Sequence, residues 1–167
     1  MKPNDGALHV LMRFSDKLNH AVETIKAHNT VISSEGAVWL AKAGKPMAHN
    51  HIATINRQCD AGIPTYLYLV QRVREEYKLY RASVLAMTRK FPGEEQSLVP
   101  PYYETSPLLH DVQLWAKLSE IKAVPNKEID TLVLVSTATP ARSSLMYSMA
   151  GLFLVRRVSP KTDGLSP

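Results

Sequence analysis

One cysteine, Cys59, stands in a chain of 167 residues. An internal disulfide is therefore excluded, and so is a metal centre built from several thiolates. A reducing, cytoplasmic setting is the expectation. Long apolar runs are missing too: none approaches the roughly 20 residues a membrane span needs. The opening MKPNDGALHV lacks the apolar stretch of a secretory signal. Glycine is sparse, and GAVWLAKAG at 36–44 holds two glycines without phosphate-loop spacing or its Lys-Ser/Thr ending. Nucleotide hydrolysis is thus unsupported. No serine sits in a nucleophile elbow, since Ser143 and Ser144 lie in ARSSLM. Cys59, on the apolar face of a predicted helix, reads as a core residue.

Acidic residues are the minority charge. Twenty Lys and Arg against fifteen Asp and Glu give a net +5 and a pI near 9.4, a balance that favours a polyanionic partner. The length fits one domain, assigned to residues 1–158, with 159–167 as a polar tail or linker.

Local patterns predict the order of elements. HVLMRF reads as a first strand, with Ser15 or Asp16 placed to cap a helix whose apolar face carries Leu18, Val22, Ile25 and Ile32, stopped at Gly36. AVWLAKA returns to strand character, and Pro46 suits the first turn of a second helix through Ile52, Ile55 and Cys59. TYLYLVQRV and YKLYRASVLAMTR should pair as a hairpin. Residues 91–111, with four prolines and little periodicity, predict a long loop. VQLWAKLSEI, TLVLVST and GLFLVRRV are further strands, with a short helical turn at 143–149. Helices early and strands late give an α+β domain, a small curved sheet or open β-barrel flanked by helices.

His49-Asn50-His51 spells a nuclease nickname. All three lie in one predicted helical turn, where neighbours point in different directions, so they read as surface residues. No metal site and no cofactor are expected. The aromatics are more informative. Flat rings suit an extruded nucleobase, each stacking contact being worth roughly 1–3 kcal/mol. Alternation along a strand sends half of such rings inward. Tyr68 and Trp115 are therefore assigned to the core, and the loop residues Tyr102 and Tyr103 to an accessible position.

GAVW at 36–39, the helix through HNHIATINRQ, the strands TYLYLVQ and YKLYRASVLAM, and the later LWAKLSEI together resemble the YTH and EVE branch of the PUA-like superfamily. The likeness spans residues 36–122. It implies a small barrel whose aromatic cage receives a flipped, modified base. Trp39 matches the cage tryptophan of the Gly-x-Trp strand, and Tyr102 or Tyr103 the opposite wall. The loop offers tyrosine where YTH readers usually carry a second tryptophan, which turns the reading towards EVE-type domains of bacterial modification-dependent restriction proteins. The resemblance thus implies a non-catalytic sensor of modified DNA in a restriction or antiviral defence system, alongside an effector nuclease or NTPase domain or subunit. The base pocket is assigned to Trp39, Leu40, Tyr102 and Tyr103, and backbone contact to Lys42, Lys45, Arg89 and Lys90. The alternatives are an RNA reader of the same fold, a small enzyme acting on modified nucleotides, and a protein-interaction adaptor with Trp39 buried.

Overall fold

The computed structural model describes residues 6–15, 23–73, 75–106, 109–147 and 151–158. In chain order they form β1 (His9–Phe14), α1 (Thr24–Glu35), β2 (Val38–Ala43), α2 (His49–Asp60), β3 (Tyr66–Val73), β4 (Glu76–Thr88), β5 (Val112–Val124), β6 (Leu132–Leu134), α3 (Ala141–Tyr147) and β7 (Leu152–Arg157). The strands make one mixed sheet in the order β2-β5-β4-β3-β1-β7-β6. The expected hairpin is β3 and β4, paired from Tyr66 with Ser83 to Val73 with Glu76. Strand β1 lies parallel to β3 and antiparallel to β7. The edge strands β2 and β6 do not pair, so this is an open α+β sheet. Among the described residues no helix is long and apolar enough to cross a membrane.

The sheet is strongly curved. Strands β2 and β1 are four steps apart in the strand order, about 19 Å on a flat sheet at ~4.8 Å per step. Yet Val38 and Leu40 of β2 share one buried cluster with Leu8, Val10 and Met12 around β1. The first edge comes round towards β1, and residues of β1 and β2 line one cleft.

Side-chain alternation then decides who faces whom. On β2, Val38 and Leu40 enter the inner core while Trp39 points the other way. On β5, Leu114, Ala116 and Leu118 point inward and Trp115 outward. The outward rings meet residues of the 91–111 segment, giving a separate cluster of Trp39, Val99, Tyr103 and Trp115. A third cluster, with Leu11, Tyr68 and Val70, lies beneath Ile129, Leu132 and Leu145. The core assignment of Tyr68 and Trp115 agrees with their burial.

Three local expectations need correction. Helix α1 is described from Thr24, with Glu23 at its N-cap and no side-chain cap; Asp16, Leu18 and Val22 lie outside the described residues. Its end is as expected: Gly36 takes φ 86° and donates to the Ile32 carbonyl, a left-handed stop that glycine adopts without a Cβ penalty. Helix α2 begins at His49 after an extended Ala48, so Pro46 precedes it. Met47, between them, is buried in the inner core. The 91–111 segment is built of short 3-10 turns, Gly93–Leu98, Pro101–Thr105 and Leu109–Asp111. Pro101 opens the second of them, its fixed φ already suited to a helical first residue.

Two buried or half-buried amides fix α2 against the strands. Gln58 accepts from the Leu8 amide at 2.7 Å and donates to the Leu8 carbonyl at 2.9 Å. Asn56 does the same with Met87, at 2.8 and 2.9 Å. Each amide supplies one donor and one acceptor, as a neighbouring strand would.

Candidate functional site

A cleft of about 490 Å³ opens where the end of β1 meets β2. Its size lies within the range of small-molecule pockets. Met12 and Phe14 come from β1, Leu40 to Gly44 from β2 and its end, and Tyr102 and Tyr103 from the loop segment. Strand β2 has a neighbour, β5, on one side only. On the side away from β5, the Ala41 amide donates to a side chain of the loop segment rather than to a strand.

Tyr103 is the fixed part of that wall. Its hydroxyl lies 2.9 Å from His28 Nε2 and 3.0 Å from the Ala41 amide nitrogen. His28 Nδ1 lies 2.7 Å from the Thr24 carbonyl. A carbonyl can only accept, so Nδ1 carries the imidazole proton and Nε2 is the acceptor. The Tyr103 hydroxyl then donates to His28 and accepts from Ala41. Every polar atom in this chain of contacts has a complementary role. Burial pushes His28 down to about 4 from its ordinary 6.5, partly countered by the Thr24 carbonyl. It also pushes the Tyr103 hydroxyl well up, so the phenol stays protonated. The network thus joins α1, β2 and the loop through neutral groups.

Tyr102 stacks on Tyr103, with ring centres 4.4 Å apart and planes 30° apart. Tyr103 is 7% exposed, while Tyr102 is half-buried and lines the same cleft. The doublet expected to be accessible is therefore graded: a braced inner ring and an outer one stacked upon it.

Of the other expected pocket residues, Leu40 lies in the cleft wall. Trp39 is 5% exposed and stands behind that wall, against Tyr103 and Trp115. On the ring of Trp39 lies Lys117 Nζ, 6.0 Å from its centre, which is also 2.7 Å from Glu95 Oε2. The four expected backbone-contacting cations separate. Lys42 lines the cleft. Lys45 and Lys90 are exposed. Arg89 donates to the Met47 carbonyl at 2.9 Å through Nε and lies 2.9 Å from His49 Nε2, holding the turn before α2.

Arg13, His28, Asp111 and Gln113 were missing from the expected site. Arg13 is the one polar side chain in the first predicted strand besides His9, and a cation closing an apolar run was the available signal. Nothing local marks His28, whose partner is 75 positions away.

No curated protein and no solved structure matches the chain. A family model described as Pua-like matches residues 10–149, a span that runs from the second residue of β1 to beyond α3 and takes in the whole cleft wall described above; the chain belongs to the Pua-like family.

Proposed function

We propose that this protein is a non-catalytic reader of modified bases in DNA, taking a flipped base into the cleft between β1 and β2. The observation that carries this reading is the stacked Tyr102–Tyr103 pair on the wall of an open cleft. Family membership supports a nucleic-acid-binding fold. Extruding a base costs a few kcal/mol, which stacking and hydrogen bonds in the cleft must offset. A ring already braced by His28 and Ala41 loses little freedom on binding, so more of the stacking energy appears as affinity. The role of a sensor in a restriction or defence system, with an effector nuclease or NTPase, follows from the EVE-type resemblance.

Tyr102→Ala should reduce the preference for a duplex carrying one modified base by the roughly 1–3 kcal/mol of a stacking contact. Fluorescence anisotropy on otherwise identical duplexes measures it, with a chemical-denaturation curve as control. An unchanged ratio in a folded variant would remove the base-reading assignment. The same assay with single-stranded RNA decides the nucleic acid: tighter binding there than to DNA would transfer the reading to RNA.

Lys45 and Lys90, both exposed, are assigned to flanking phosphates. Replacing both by Ala should weaken modified and unmodified duplexes alike. The slope of log K against log salt should become shallower by about 0.9 for each phosphate that is no longer neutralised. An unaltered slope would put the backbone track on another face.

A further inference from the structure

The side chain of Lys42 crosses the cleft. The pleat of β2 puts it on the same side as Leu40, and both residues line the cleft. From there it reaches the start of β7, where a Cβ built on Gly151 would stand 3.0 Å from Nζ and 3.5 Å from Cε. The Gly151 carbonyl accepts from the backbone amide of Arg13, on β1, at 2.9 Å. Strands β2 and β7 are not neighbours in the sheet, so the ammonium spans the gap from the β2 wall to the β1 side. Lys42 is half-buried and makes no hydrogen bond or ion pair with any described residue. Other half-buried cations are answered: Arg81 pairs with Glu128 at 3.1 Å, and Lys117 with Glu95 at 2.7 Å. An ammonium held partly out of water with no acceptor is a cost, which an apolar side chain of similar length would avoid.

We infer that Lys42 reads the edge of the base taken into the cleft, and that this base carries a ring carbonyl: a modified cytosine, thymine or guanine, not a modified adenine. An ammonium has three donors and no acceptor, so it matches an edge that only accepts. Guanine offers O6 beside N7, and thymine and cytosine carry carbonyl oxygens. Adenine has no carbonyl, and its amino group sets a donor beside N7. That donor opposes the ammonium, which is left with a ring nitrogen alone. A base lying flat on Tyr102 presents its edge in the plane of its ring, where a side chain that crosses the cleft meets it. Lys42 therefore passes from backbone contact to the base itself, while Lys45 keeps a flanking phosphate.

This inference rests on the reading of the cleft as a base site, and the test separates the two. Fluorescence anisotropy of the full chain compares duplexes carrying methylcytosine, hydroxymethyluracil, oxoguanine or amino-methylated adenine, each beside its unmodified counterpart. The duplex bound most tightly should carry one of the first three. On that duplex Lys42→Met, which keeps an apolar stem and removes the ammonium, should bind about 10–100-fold more weakly, the effect of one charge-assisted hydrogen bond. Its loss on the adenine duplex should be the smallest of the four. Comparing variant and natural chain on one duplex cancels the cost of opening that base pair. Lys42→Gln, whose amide both donates and accepts, suits the amino group and N7 of adenine and should gain affinity for the adenine duplex. Thermal melting checks that both variants fold. Tightest binding of the adenine duplex by the natural chain overturns the inference and leaves the base reader standing. So does an equal loss on all four duplexes in Lys42→Met, which would return the ammonium to the backbone, and so does discrimination that survives in both variants. Preference for no modified duplex over its counterpart overturns both readings.

Discussion

Tyr103→Ala should lose about 3–5 kcal/mol of folding stability, the range for removing a buried aromatic ring. The ring fills the space between Trp115, 5.6 Å away, and the stacked Tyr102. Its loss also strands the Ala41 amide and the His28 acceptor, each an unpaired group costing about 1–3 kcal/mol where water cannot reach it. The upper end of the range is therefore expected. Tyr103→Phe separates the two contributions. It keeps the ring and removes the hydroxyl, and should cost about 1–3 kcal/mol with the cleft shape retained. Urea titration of the three proteins measures both effects. If Tyr103→Ala stays within about 1 kcal/mol of the natural chain, well below the range for a buried aromatic, Tyr103 braces nothing. Tyr102→Ala, at a half-buried position, should be the milder substitution for stability and the more damaging one for base preference.

The second large effect is acid sensitivity centred on His28. The folded chain holds its imidazole neutral down to about 4, against an ordinary value of 6.5. Between those two values the unfolded chain binds a proton that the folded chain refuses, so stability falls as pH falls through the window. The contribution is complete above 6.5 and spent by about 4, a loss of roughly 3 kcal/mol. Denaturation midpoints measured across this window should fall steeply for the natural chain. In His28→Gln, less stable at neutral pH, they should fall less by about that amount. Parallel slopes would show that other groups govern the acid limb.

Most elements were legible in the sequence because their signals are local. The apolar run of HVLMRF, the aromatic and branched residues of TYLYLVQRV and the glycine that stops the first helix all act within a few residues. The cleft was not, because it depends on curvature. Trp39 shows the limit. Its neighbours told that its ring opposes Leu40 across the strand, but not which face the curled sheet would leave open. Leu40 lines the cleft, and Trp39 backs its wall. The prolines and tyrosines of the 91–111 segment announced a long loop, without its short turns or its anchor. That anchor, His28, is an inconspicuous polar residue in helix α1, and only the folded chain puts it 2.9 Å from the Tyr103 hydroxyl. Arg13 likewise meets carbonyls more than a hundred positions further on.

The chain has two tryptophans, and both pack in the cluster behind the cleft wall, beside Tyr103. Tryptophan emission from this protein thus originates at one place. A ligand that shifts the Tyr102–Tyr103 pair, or moves Lys117 off the Trp39 ring, changes the surroundings of the indoles at once. Occupancy of the cleft becomes visible as a change in intrinsic fluorescence, with no dye attached and no residue replaced.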